Sequence, residues 1–196
     1  MKILRGLSVA FNRAGNQGQS LRVASLYLLR AEASGDDMEI GRACNMVALG
    51  QFKSGEVAAA SKGFERAERL ARSLADPQQR AELLGPIFNG WSVMAGEQGD
   101  YEFGTQLTRQ ALEQNEYRRN AAGVAINAGN LGEFLKHLGL LYEAEASLQK
   151  ARRMNEEIGN PDGLTSNLTS LSQLALWRCD TAAALGLLDD ALALTK

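Results

Sequence analysis

The sequence predicts an all-α fold, a right-handed superhelical solenoid of about five antiparallel helix pairs. Three observations carry that expectation. Ala31, Ala67, Ala111, Ala151 and Ala191 recur at steps of 36, 44, 40 and 40 residues. Seven positions before them stand Ala24, Ala60, Gly104, Ala144 and Ala184, all small, and three before them stand Leu28, Phe64, Thr108, Leu148 and Leu188. Small residues fixed at one register beside a mostly apolar one mean that two helices approach closely in every unit, and self-similarity at this period marks a stacked repeat array. Such an array buries its core between neighbouring units, so length counts units and not separate domains.

One unit shows the construction. Ala128, Leu131, Gly132 and Leu135 follow the i, i+3, i+4, i+7 spacing of an apolar helical stripe. Leu138-Gly139 follows, with a glycine able to take the left-handed conformation that closes a helix. A second stripe, Leu141, Ala144, Leu148 and Ala151, completes helix A, tight turn, helix B. Turn glycines recur at Gly55, Gly99 and Gly139, while Cys179 holds that slot in the last unit. The spacing puts A helices over 2–14, 38–52, 78–97, 118–137 and 162–177, and B helices over 19–33, 56–73, 101–116, 141–157 and 181–195. Units then fall near 1–35, 36–76, 77–117, 118–159 and 160–196, one repeat domain that reads as part of a longer protein. Asp36, Asp76-Pro77 and Asn160-Pro161 supply helix starts. The 44-residue step adds about one helical turn, which the reading places in a lengthened helix A kinked at Gly85-Pro86; a longer loop between units is the alternative.

The pattern resembles the tetratricopeptide repeat family. A small residue recurs in helix A (Ala48, Ser92, Gly132, Ser172) behind a large one (Val47, Trp91, Leu131, Leu171). Turn glycines and the helix B series of small, large and alanine complete the signature, with Asn130-Leu131-Gly132 through Leu141 to Ala151 as its best match. The 40-residue spacing, against 34 usual for the family, is similar to the longer repeats of kinesin light chains and many bacterial regulators. The first unit departs most, with Asn12 in the small slot. The resemblance implies a protein-interaction scaffold whose A helices line a concave groove.

Composition narrows the function classes. The 196 residues are 45% hydrophobic and 22% charged, with a net charge of −2, a folded-protein composition without the basic excess of nucleic-acid surfaces. No run approaches the ~18 apolar residues of a membrane helix, and Arg5 interrupts the apolar start that a signal peptide would need. The expected location is cytoplasmic, with neither nucleic acid nor membrane as partner. Cys44 and Cys179 lie about three units apart, beyond the ~7 Å a disulfide permits; Cys44 reads as a small core hydrophobe.

No catalytic constellation emerges, and the chain reads as a non-enzyme without cofactor or metal. His137 is the only histidine, so no imidazole pair can hold a metal. Gly50 to Gly55 has phosphate-loop glycine spacing, but Glu56 stands where lysine must reach the phosphates, and the segment joins two helices. Asn167-Leu168-Thr169 matches a glycosylation acceptor without consequence in a cytosolic helix. Glu156-Glu157 and Asp189-Asp190 read as solvated faces. The arginine clusters at 66, 69 and 72, at 118–119 and at 152–153 complement helix C-terminal dipoles. Trp91 reads as core, whereas Trp177 fits either core or groove.

The candidate partner site lies on the A helices. Just before the large core residues stand Asn45, Asn89, Asn130 and Ser170, with Asn16, Arg42, Glu133, Lys136 and Gln173 nearby. An asparagine amide offers two donors and an acceptor, so a ladder of them can pair an extended peptide whatever its side chains. The partner-binding set is therefore Arg42, Asn45, Asn89, Asn130, Glu133, Ser170 and Gln173, and the partner a peptide or a helix of another protein. The alternative reading is the ligand- or peptide-sensing part of a bacterial regulatory protein. The last helix B also looks unfinished. Leu185, Leu188 and Leu192 can pack on their own helix A, but Leu187 and Leu194 have no following unit. Either a longer array continues, or a second copy pairs through this helix in a two-fold homodimer.

Overall fold

The computed structural model describes residues 1–195, which form ten helices. They are α1 (Lys2–Arg13), α2 (Gln17–Ser34), α3 (Asp37–Lys53), α4 (Val57–Ser73), α5 (Pro77–Glu97), α6 (Tyr101–Tyr117), α7 (Ala121–His137), α8 (Leu141–Ile158), α9 (Pro161–Trp177) and α10 (Thr181–Ala193). Odd-numbered helices are A helices and even-numbered ones B helices, with boundaries within about three residues of those the periodicity predicts. The extra turn lies in α5, the longest helix, with Pro86 inside it. Among the described residues no helix is long and apolar enough to cross a membrane.

The local chemistry explains the starts and stops. Carboxylate or amide side chains of Asn16, Asp36, Asp100, Asn120, Asn160 and Asp180 accept from the first-turn N–H groups of α2, α3, α6, α7, α9 and α10, satisfying donors that a helix leaves unpaired. Asp76 Oδ1 accepts from Gln78 N at 2.9 Å and starts α5. The A-to-B turns pass through a left-handed residue, glycine in four units and Cys179 in the last (φ 61°). The turn therefore survives the cysteine, at the steric cost an L residue pays there.

The contacts divide the chain into two compact halves, residues 1–94 and 95–195. In the first, Ala24, Ala31, Ala60 and Ala67 are all 0–1% exposed, the close approach their recurrence predicts. Phe64 is fully buried and stacks on Trp91, ring centroids 5.9 Å apart, which places Trp91 in packing as expected. Tyr27 of α2 donates its phenol to Glu39 Oε2 of α3 at 2.8 Å. Arg42 then joins Glu39 to Glu82 of α5. In the second half, Leu131, Leu135, Ala144, Leu148, Leu171 and Leu174 form one apolar cluster drawn from α7, α8 and α9. Burying a leucine such as Leu148 contributes about 1.5–3 kcal/mol. Gly132 is small because α8 crosses there: a Cβ on it would lie 2.5 Å from Leu148 Cγ and 3.1 Å from Ala144 O.

Two sequence expectations need correction. On α10, Leu187 is half-buried against the apolar cluster, whereas Leu185, Leu188 and Leu192 are 58%, 40% and 58% exposed. The uncovered stripe thus runs along the i, i+3, i+7 line through Leu185, roughly 140° around the helix from the expected edge at Leu187 and Leu194. Leu194 is exposed as expected. Trp177 is also exposed, with Lys136 Nζ 6.0 Å from its ring centroid.

Candidate functional site

A cleft of about 210 Å³ opens between the A helices α7 and α9 of the second half. Ile126, Gly129, Asn130 and Glu133 form one wall, Gly163, Ser166, Asn167 and Ser170 the other, and Leu148 with Asn155 of α8 contribute from the B-helix side. Three of the predicted partner-binding residues, Asn130, Glu133 and Ser170, meet there. Helical periodicity explains the convergence: positions three and four apart on α7 and α9 share a face, which Leu148 of the leucine cluster borders.

An asparagine network builds the deep end. Asn155 Nδ2 donates to Asn167 Oδ1 at 2.7 Å, and Asn160 Nδ2 donates to Asn155 Oδ1 at 2.8 Å. Asn160 Oδ1 in turn accepts from Gly163 N at 3.2 Å, capping α9. Asn155 and Asn167 are 4% and 5% exposed, so this chain of amides locks the end of α8 to the start of α9 in a desolvated setting where unpaired polar groups are costly. Gly163 must be glycine: a Cβ there would collide with the Asn155 and Asn160 side chains. The same elements stand 40 residues earlier, where Asn120 Nδ2 donates to Asn115 Oδ1 at 2.7 Å and Asn120 Oδ1 caps Gly123 N. There the last link is open, since Asn115 donates to Ala111 O of its own helix and Asn127 Oδ1 is buried and unpaired. The sequence holds this signal as Asn-x4-Asn-x2-Gly-x3-Asn, twice at a 40-residue step, outside the mid-helix positions of the asparagine ladder.

The mouth of the cleft is charged. Lys136, 5% exposed, donates to Glu133 Oε2 and to Gln173 Oε1, each at 2.7 Å. The two bonds tie α7 to α9. Glu133 Oε1 is left buried without a donor, an acceptor with capacity to spare. Gln173 itself is exposed and works as a partner of Lys136.

The remaining predicted residues lie in the first half. Asn45 is 7% exposed, with a buried and unpaired Oδ1, and is a core side chain by position. Asn89 is half-buried. The Arg42 guanidinium is taken up by Glu39 and Glu82. Burial works to raise the Glu39 carboxyl, but the hydrogen bonds from Tyr27 and Arg42 and the charges of Arg42 and Arg5 outweigh it and hold it below its ordinary value. Burial, and then the bond to Glu39, push the Tyr27 phenol far up. This arrangement is a satisfied brace between α2, α3 and α5.

No protein-family model and no curated relative matches this sequence. Solved structures do match the fold. The putative kinesin light chain repeats of Podosopora anserina superpose with a TM-score of 0.75 at 10% identity, over 99% of this chain and 94% of theirs. The apo form of RapI gives 0.80 at 14% identity over 95% of this chain and 51% of its own, so this chain spans about half of it. A signal transduction ATPase with a tetratricopeptide repeat sensor from Pyrococcus horikoshii gives 0.65 at 18% identity, over 89% of this chain and 27% of that one. At these identities the likeness is one of architecture, and the chain is a TPR-like all-α repeat solenoid.

Proposed function

We propose that the chain is a protein-interaction module whose cleft between α7 and α9 binds an extended peptide segment of a partner. The observation that carries this reading is the lining: Asn130, Ser170, Asn167 and Glu133 surround about 210 Å³ of space between two parallel-running A helices, with Ile126 and Leu148 as apolar contacts. Amide and hydroxyl groups pair peptide N–H and C=O without regard to side chain, and the apolar contacts offer room for one residue of the peptide. The spare Glu133 oxygen favours a donor at the mouth, a peptide N–H or an amine. No bond is made or broken in this reading. The array scaffold suits it, since stacked repeats present a continuous surface assembled from equivalent positions.

A second reading, the sensing part of a bacterial regulator, rests on the same cleft, whose size also suits a short free peptide. The tetratricopeptide sensor of the Pyrococcus horikoshii ATPase, similar in fold, is a precedent for that arrangement. The two readings share one recognition chemistry and differ in what is joined to the array.

The test begins with peptides selected from a displayed library on the 196-residue chain. Asn130→Ala with Ser170→Ala should weaken the selected peptide about tenfold or more, since each lost hydrogen bond is worth roughly 0.5–1.5 kcal/mol net. Asn45→Ala, in the core of the other half, should leave affinity unchanged. Equal affinity for the double variant and the parent would remove the cleft as the binding site.

A further inference from the structure

The two end helices are left with complementary faces, and the repeat register says what each face is built to meet. Leu148 of α8 packs on Leu171 and Leu174 of the following A helix, and Leu112 of α6 rests on the same cluster. Glu145 of α8 takes Arg178 at the end of α9 at 2.5 Å. Advancing these by whole 40-residue steps gives Leu188, Leu192 and Leu185, the three leucines exposed on α10. Their register is the one that holds the next helix A.

At the other end α1 is a helix A, and its exposed positions are the ones that other A helices turn to the preceding helix B. Ile3, 78% exposed, matches Asn167, which binds Asn155 of α8. Leu7, 44% exposed, matches Leu171, which lies in the apolar cluster with Leu148 of α8. Ala10, also exposed, matches Gly50, where a Cβ would lie 2.9 Å from Leu21 of α2. The charges are complementary too. Residues 1–35 hold five bases and one acid, while residues 160–196 hold four acids and two bases. An A helix runs antiparallel to the B helix before it, so Lys2 and Arg5 at the start of α1 would come to Asp189 and Asp190 near the end of α10.

We propose that α10 takes α1 of a second copy of this chain, so that copies stack head to tail with the spacing and register of one more repeat. Leu188 then seats against Leu7 and Ala10 of the second copy as Leu148 seats against Leu171 and Leu174. The contact is heterologous: each copy uses one face and offers the other.

Sedimentation of the 196-residue chain tests this with end-blocked variants. The wild-type chain should associate with concentration, and less so as salt screens the Lys2, Arg5, Asp189 and Asp190 charges. Ile3→Glu with Leu7→Glu blocks the head, and Leu188→Glu with Leu192→Glu blocks the tail. All four positions are exposed, so circular dichroism should show both variants folded. Each variant alone should be monomeric, with self-association weakened at least about tenfold, and a mixture of the two should form a one-to-one dimer and nothing larger. As an independent check, Lys2→Glu with Arg5→Glu should weaken stacking, and Asp189→Lys with Asp190→Lys on the partner copy should restore it. A wild-type chain that stays monomeric to about 100 μM would overturn the proposal. So would a head-blocked variant that still associates at wild-type strength, which would signify a two-fold contact of α10 with itself.

Discussion

Replacing Asn155 by alanine probes the joint between the last two units and the deep end of the cleft together. The side chain makes two hydrogen bonds, at 2.7 Å to Asn167 and 2.8 Å from Asn160, each worth about 1 kcal/mol net. Its loss also leaves Asn167 Oδ1, on a residue 5% exposed, without that donor, a desolvation cost of about 1–3 kcal/mol. The sum is about 3–5 kcal/mol, a hundredfold or more in a local opening equilibrium. In a repeat array stability is a sum of unit and nearest-neighbour terms. The loss should therefore appear in native-state hydrogen exchange as faster exchange of α9 and α10 amides, with α2 and α3 keeping their protection. Asn115→Ala is the internal control. Asn115 accepts from Asn120 but donates to a carbonyl of its own helix, so its removal should cost about half as much. Equal losses for the two variants, or a change below about 0.5 kcal/mol at Asn155, would refute the claim that the amide chain couples α8 to α9.

Gly132→Ala should destabilise the second half by about 1–3 kcal/mol in urea unfolding, because its Cβ would meet Leu148 and the backbone of Ala144. Cys179→Gly should raise stability by about 1 kcal/mol in the same assay, since it relieves a left-handed L residue. Folding lowers the Glu39 pKa, so its contribution is complete above the ordinary value of 4.5 and drains as pH falls through the lower folded value; Glu39→Gln should flatten the acid limb of a melting-against-pH profile. Burial raises the Cys44 thiol, so an alkylating reagent at pH 8 should label Cys179 in the native chain and reach Cys44 only on unfolding, which mass spectrometry reads directly.

The sequence revealed the array because its periodicity encodes close helix contacts. Ala60, Ala67, Ala144 and Ala151 can be nothing larger where two helices touch, so their spacing alone located the pairs. Turns were legible for a similar reason: left-handed backbone selects glycine, and where Cys179 broke the rule the aspartate after it still marked the cap. The site was legible in part. Asn130 and Ser170 do face the cleft, but Asn45 is turned into the core, because it stands two residues before its large residue Val47 while they stand one before Leu131 and Leu171, a difference of about 100° around the helix. The exposed apolar edge of α10 likewise runs through Leu185, Leu188 and Leu192 and not through Leu187. The network of Asn155, Asn160 and Asn167 was not legible, since Asn160 reads as a cap and Asn167 as a surface tripeptide at joints between units, where a capping residue and a binding residue have the same composition.

Side-chain amide NMR of the chain titrated with a library-selected peptide tests the groove most directly. If the cleft holds the peptide, the Nδ2 signals of Asn130 and Asn167 and the backbone N–H signals of Gly129 and Gly163 shift together and saturate at one peptide per chain. Shifts confined to the B-helix face, at residues such as Arg109 and Glu143, with the Asn130 and Asn167 amides unmoved, would contradict it.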